Sequence, residues 1–420
     1  MQFNYLTKFM ACLLPIVAIV YVSIYGVNFI FWDELRLVDL FNEKIDFWSS
    51  ILEPNNEHCI PLGKLEYYVI EKMTSMNAKA LMYVSILTLC IPYFLFLKKI
   101  QTKNLFLTIS SVIIFYLAFF SPIGWENLLS GFQLLFINAY AFAIIAVLLC
   151  DTFLATGKLR YLYISSCCCC MASLSSSHGL LSWISIILVM LYSRKYKKCL
   201  LPLYPMIFVV AFYFIILFNR VFNGNHGTTD YSFLSIAKYF LTFVSSWIGG
   251  MNPEIGWLIG LLVVAFLCYL LICRKMYKDY LVTTLVLLGI MVASMVTFGR
   301  WTLGIGQALS SRYFLLQMPV YLAFGVILTK CKFQICNVYK TISVILTVSV
   351  FVIIFLVMSV KSIEITRIMN NVFIDRLNIL LTFDQQPKSV IEQNIFPNYD
   401  YAKHQISIIK AKKLNAFAEE

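Results

Sequence analysis

Uninterrupted apolar stretches of about 20 residues, the length that lets a helix cross the hydrocarbon core of a bilayer, recur along this chain with little between them. They fall at 9–30, 80–97, 105–121, 132–150, 161–177, 179–192, 200–218, 256–273, 280–298, 314–328 and 341–360. The pattern predicts an all-α polytopic membrane protein with about 10–11 transmembrane helices. Segments 161–177 and 179–192 are the shortest, and Ser175-Ser176-Ser177-His178 interrupts them. A re-entrant hairpin buried in protein is the alternative for that pair. The first stretch runs directly into Asn28-Phe29-Ile30-Phe31-Trp32 without a small-residue cleavage site, so it is expected to be a membrane helix and not a signal peptide.

Between the spans the polar positions alternate in sign. One set of short loops carries Lys98, Lys99, Lys103, Lys158, Arg160, Arg194, Lys195, Lys197, Lys198, Arg274, Lys275, Lys278, Lys330, Lys332 and Lys340, with only Asp151 and Asp279 as acids. Cytoplasmic loops retain Lys and Arg, so these loops are expected to be cytoplasmic. The other face then holds 31–79, a short turn at 121–131, the turn at His178, 219–255, 299–313 and the tail from about 361 to 420. Span parity places that tail outside, although its basic and acidic residues nearly balance. The expected organisation is a membrane domain over 1–360, with a functional loop at 31–79, and a C-terminal tail over 361–420.

The loop 31–79 is itself patterned. Val38, Phe41, Ile45, Trp48 and Leu52 recur at steps of three and four, as in an amphipathic helix lying flat at the membrane surface. A second such helix is expected after Pro61, with Leu62, Leu65, Tyr68 and Val69, because Pro suits a first helical turn. Gln385-Gln386-Pro387 and Phe396-Pro397-Asn398 should divide the tail into short pieces.

Composition closes several functional classes. Of 420 residues 60% are hydrophobic and 13% charged, and the mean hydropathy is +0.81; soluble domains run near 45–50% apolar and 25% charged. The net charge of +12 would suggest nucleic acid in a soluble chain, but here it is an orientation device and no nucleic-acid partner is expected. Of the thirteen cysteines, Cys12, Cys90, Cys150, Cys167 to Cys170, Cys268 and Cys273 lie in apolar stretches, and Cys59 alone falls in a large external loop. That distribution implies neither a disulfide framework nor a zinc or iron–sulfur site. Phosphate-loop, nucleophile-elbow and His-Glu-x-x-His signatures are absent, which removes support for an ATP-driven pump and for serine or zinc hydrolysis.

Polar groups are costly in a membrane protein and tend to sit where they act. Asp33 and Glu34 close the first span after Trp32; adjacent helical residues point about 100° apart, so the two carboxylates are expected to do different jobs. A carboxylate pair can also simply terminate a span. Glu57 and His58 pair an acceptor with a switchable donor in the same loop, where a merely solvated dipeptide is the plainer alternative. Trp125-Glu126-Asn127, followed by Gly131-Phe132-Gln133, sits in a turn so short that it must lie at the bilayer surface, a setting in which Trp is often structural. His178 stands among serines. Arg300 and Arg312-Tyr313 supply the basic residues of the turn after 298; an Arg fork suits phosphate or carboxylate, and also snorkels to headgroups.

Trp32-Asp33-Glu34 at the end of the first span, Asn56-Glu57-His58-x-x-Pro61 in a long external loop, and the later Trp125-Glu126-Asn127 turn together resemble bacterial GT-C glycosyltransferases. Size and layout are most similar to the O-antigen-modifying transferases of serotype-converting cassettes. The resemblance implies a GT-C-like bundle with external amphipathic helices in the bacterial inner membrane. It also implies transfer of sugar from a polyprenyl-phosphate carrier to a glycan or lipopolysaccharide acceptor at the periplasmic face. Asp33 is the position that matches the family's acidic loop residue, and Glu34 stands beside it. Arg300, Arg312 or His58 would face the leaving phosphate, while Glu57, Glu126, Asn127, His178 and Tyr313 would surround the sugar. A divalent cation held by Glu57, Glu126 and His178 is an alternative within that picture. Outside it stand a repeat-unit polymerase and a lipid-linked sugar flippase. The early acidic loop favours the transferase over the first, and the absence of repeated halves and mid-span charges favours it over the second.

Overall fold

A computed structural model describes residues 5–55, 58–99, 104–223, 232–248, 252–272, 278–330 and 338–418 of the chain. The helices in order are α1 (Tyr5–Tyr25), α2 (Phe47–Leu52), α3 (Pro61–Thr74), α4 (Ala78–Leu97), α5 (Leu105–Phe120) and α6 (Trp125–Leu129). They continue as α7 (Leu134–Thr156), α8 (Leu159–Ser175), α9 (Leu180–Tyr192), α10 (Tyr196–Asn223), α11 (Phe233–Val244) and α12 (Pro253–Ile272). The last are α13 (Tyr280–Arg300), α14 (Met318–Lys330), α15 (Val338–Leu381), α16 (Lys388–Asn394) and α17 (Tyr399–Ala411). Each apolar stretch singled out in the sequence contains a helix, although the first ends at Tyr25 and the one expected over 314–328 is α-helical only from Met318. Among the described residues seven are long and apolar enough to cross a membrane, with shorter apolar helices at Ala11–Tyr25, Ser177–Tyr192 and Phe233–Val244. The chain is an all-α polytopic membrane bundle.

Helix boundaries follow from capping chemistry. Asn77, Asn104 and Asp279 accept the orphan backbone N–H groups at the starts of α4, α5 and α13, each the kind of bond whose loss costs about 1 kcal/mol. Gly157, at φ +71°, ends α7 in the left-handed conformation and returns the chain antiparallel as α8. α8 and α9 form a hairpin around the tight turn Ser177–Gly179.

Burial sorts the helices into an inner and an outer set. The segment Ser311–Lys330 is 83% buried inside the protein, whereas Tyr196–Leu217 is 17% buried. On α10 the large side chains Phe208, Phe214 and Ile215 stand exposed, as do Leu262 and Ile272 on α12. Apolar faces of this extent need lipid beside them. Lipid is as apolar as leucine, so helices in a bilayer associate through close fit. Gly260 on α12 shows this: a Cβ there would meet the Leu241 carbonyl of α11 at 1.8 Å.

The single amphipathic helix expected over 38–52 is broken. Trp32–Phe41 is a 3₁₀ helix, Asn42 turns the chain, and α2 starts only after Asp46, whose carboxylate accepts Ser49 N–H at 2.8 Å. The helix after Pro61 forms as expected, with its apolar stripe outward as a helix lying at a membrane surface requires. Leu65, Val69 and Met73 are exposed, while Lys64, Tyr67 and Glu71 are buried. The apolar stripe faces outward and the polar residues face the interior.

Helix α15 runs 44 residues without interruption, about 66 Å at 1.5 Å per residue, well past the bilayer's apolar thickness. Its first half packs Phe355 against Trp247, Tyr321 and Phe314. Its second half passes α1, where Tyr21 and Thr366 share a hydrogen bond at 2.6 Å and Asn370 Nδ2 donates to the Tyr25 carbonyl at 2.8 Å. The chain then breaks at Pro387 and Pro397 into α16 and α17. These fold back onto the 31–79 loop: Tyr401 Oη and Gln405 Nε2 donate to Asp39, Lys412 pairs with Glu43, and Asn415 bonds the backbone at Ser75 and Met76.

Candidate active site

The 3₁₀ geometry at 32–41 decides what its acidic residues face. Three residues per turn align positions i and i+3 in columns. Asp33, Arg36 and Asp39 form one column, with the Asp33–Arg36 pair at 3.7 Å. Glu34, Leu37 and Leu40 form another, fully buried. The two adjacent carboxylates are therefore sent to different environments. The entry to this segment is strained: Trp32 has φ +51°, a region that bulky L-residues avoid. Its N–H is held by the Ile395 carbonyl of the tail at 3.0 Å.

Glu34 accepts a long hydrogen bond from Tyr67 Oη at 3.5 Å, and Gly131 leaves room for it, since a Cβ there would stand 2.8 Å from Glu34 Oε1. Burial first, then the negative charge of Glu71, raises its pKa well above the carboxylate range, with Tyr67 opposing. Glu71, one turn further along α3, has neither carboxylate oxygen hydrogen-bonded. Burial raises its pKa to about 8. Glu66 is raised too by burial, against the opposing hydrogen bond from Asn138 Nδ2.

Both Asp33 and Glu34 line a cavity of about 630 Å³, well within the range of roughly 300–1,000 Å³ usual for ligand sites. Its other walls come from the turn after α5 and the start of α7, from the α8–α9 turn, from the end of α13, from 312–316, and from Met369, Phe373 and Arg376 of α15. All of these lie at one end of the bundle. His58, Glu126, Asn127, His178, Arg300, Arg312 and Tyr313 reach the same cavity. Glu57 lies outside the described residues.

Within this set the structure distinguishes roles. Glu126 Oε2 accepts from Ser310 Oγ, Ser311 Oγ and the Arg312 N–H, at 3.2, 2.5 and 3.0 Å, and Asn127 Nδ2 donates to the Ser311 carbonyl at 3.2 Å. The Trp125-Glu126-Asn127 turn thus pins the 310–313 turn and aims Arg312. His58 shares a 2.5 Å hydrogen bond with Ser177 Oγ, and its ring lies 5.3 Å from those of His178 and Phe136. The two histidines form one wall. Arg312 stacks over Tyr313, 5.5 Å from the ring centroid.

Arg376 was not legible as a site residue. Its guanidinium lies 5.5 Å from the Phe31 ring centroid, and its Nε is buried without a hydrogen-bond partner. The signal that could have found it is the absence of Gly or Pro from 338 to 381, which lets the last span run on as one helix and carries Met369, Phe373 and Arg376 on one face. Asn55 is a second residue that sequence reasoning passed over; its backbone pairs with His58 and its side chain lines the cavity.

The cavity therefore combines three carboxyls in unlike settings, two imidazoles and three guanidinium groups, a set able to move a proton and hold an anion. Among the described residues no group of three or more His, Cys, Asp or Glu side chains could hold a metal ion. Glu126 Oε2 is committed to the 310–313 turn. No family model, no curated protein and no solved structure matches the chain.

Proposed function

We propose that this protein is a polyprenyl-phosphate-sugar-dependent glycosyltransferase of the bacterial inner membrane, acting on a glycan such as O-antigen at the periplasmic face. The observation that carries this reading is the convergence of Asp33, Glu34, Arg300, Arg312 and Arg376 on one cavity at the end of a membrane bundle opposite its Lys- and Arg-rich loops. A lipid-linked phosphosugar needs that combination: apolar walls for the carrier, cations for the phosphate and a base for the acceptor.

In the proposed reaction the acceptor hydroxyl attacks the anomeric carbon as Asp33 takes its proton. The new C–O bond forms while the bond from the anomeric carbon to the phosphate oxygen breaks, inverting the centre. The electron pair leaves with polyprenyl phosphate. Arg300, Arg312 and Arg376 offset the charge that develops on the leaving oxygen, in a site where water no longer screens it. Glu34, kept protonated by burial, donates a hydrogen bond to a sugar hydroxyl, and the His58–His178 wall packs against the sugar.

The test is transfer of labelled sugar from its polyprenyl phosphate to O-antigen by purified protein. Asp33→Asn should remove turnover and leave donor binding intact. Unaltered turnover in that variant would take Asp33 out of the mechanism, and movement of lipid-linked sugar across liposomes without transfer would replace the reading with a flippase.

A further inference from the structure

A second cavity of about 330 Å³ opens between the 31–79 loop and the tail. Its lining is balanced in charge, with Arg36 and Lys64 against Asp39 and Glu53, and carries aromatic rings from Phe396 and Tyr401, whose centroids are 5.0 Å apart. Lys64 Nζ is already bonded to the Ser50 and Glu53 carbonyls at 2.7 and 2.8 Å, and Asp39 to Tyr401 and Gln405. Neither an anion nor a cation finds net opposite charge there. A neutral polyhydroxylated ring, with hydroxyls at its rim and an apolar face, does match a surface of mixed donors, acceptors and aromatic rings.

One residue joins the two cavities. Asn55 lines both, is 5% exposed, and has its Oδ1 buried without a hydrogen-bond partner. An unsatisfied buried amide oxygen is costly, a cost that a ligand hydroxyl donating to it would remove. We infer that the second cavity is a distal subsite for a neutral oligosaccharide acceptor. The sugar bearing the attacking hydroxyl sits in the main cavity, and its neighbour passes Asn55 into the space between loop and tail. The inference rests on the transferase reading and adds to it the acceptor's class and direction. The tail becomes a wall of the acceptor site.

The test measures transfer from polyprenyl-phosphate sugar to O-antigen oligosaccharides and to their constituent monosaccharides, with wild type, Asn55→Ala and Glu53→Ala. Loss of one hydrogen bond should raise the oligosaccharide KM about five- to tenfold, and in Glu53→Ala, which lies outside the main cavity, the donor KM and monosaccharide KM should stay within about twofold. Glu53 is exposed at the rim, so its variant carries the test if Asn55→Ala does not fold. An unchanged oligosaccharide KM in both variants would overturn the subsite and leave the transferase standing. An equal rise for monosaccharide and oligosaccharide would also overturn it, since the residues would then belong to the reaction chamber. No transfer by the wild type to either acceptor would overturn the transferase reading, and the subsite with it.

Discussion

The two ends of the helical bundle treat charge in opposite ways. At the basic end the two acids are neutralised by lysines from the same set of loops: Lys99 meets Asp151 at 2.5 Å, and Lys330 pairs with Asp279. Those contacts tie α4 to α7 and α13 to α14, and nothing further is asked of them. At the cavity end Glu34 and Glu71 are buried without a cation bonded to them, Arg376 keeps a buried Nε unbonded, and Asn55 and Asn127 each keep an unpartnered oxygen. Burying such groups is expensive, a cost that the proposed substrate would offset at this end. Charge at one end is paired off, and at the other it is buried without that pairing.

This contrast can be broken most sharply at Asp33. Asp33→Asn is expected to lower kcat by about 100- to 10,000-fold, the range for removing a general base, in the labelled-sugar assay, with a donor KM near that of wild type. Next in size is Arg376→Ala, which should raise the donor KM about 10- to 100-fold. Arg376→Lys should recover only part of that, because an ammonium cannot replace a planar fork on phosphate. A donor KM unmoved by Arg376→Ala would remove the helix α15 from the site.

The third effect depends on pH. Glu71 in the folded protein keeps its proton up to about pH 8, whereas in the unfolded chain it ionises in the ordinary carboxylate range. The unfolded state therefore binds fewer protons between those limits, and stability falls as pH rises through them. Glu71→Gln should melt higher than wild type at pH 8, by about 1–3 kcal/mol of stability, and alike at pH 4. Equal melting at both would mean that Glu71 is not held neutral. The smallest effect is expected at the basic end: Asp151→Asn should cost at most about 1 kcal/mol, less in high salt, with transfer rates unchanged.

Some elements were open to prediction because their cause is local. The break at Asp46 could have been anticipated, since a capping residue in mid-pattern competes with a continuous helix. The inner face of α3 could not: that Lys64, Tyr67 and Glu71 are buried while Leu65, Val69 and Met73 stand exposed depends on which elements pack against the helix. Glu126 illustrates the same limit at the site. Its position in a short surface turn was legible, but its commitment to Ser310, Ser311 and Arg312 depends on a turn 184 to 186 residues away.

What the sequence determined by itself is the position of the apolar helices, the basic end and most of the residues that meet in the cavity. A bilayer forces backbone hydrogen bonds to close within each segment, so apolar length is read directly as a span. Tertiary structure alone decided which polar ends meet, that Asp33 and Glu34 diverge through a 3₁₀ turn, that α15 delivers Arg376, and that the tail folds over the first loop. Those outcomes depend on packing between segments hundreds of residues apart, and no local pattern encodes the distance between them.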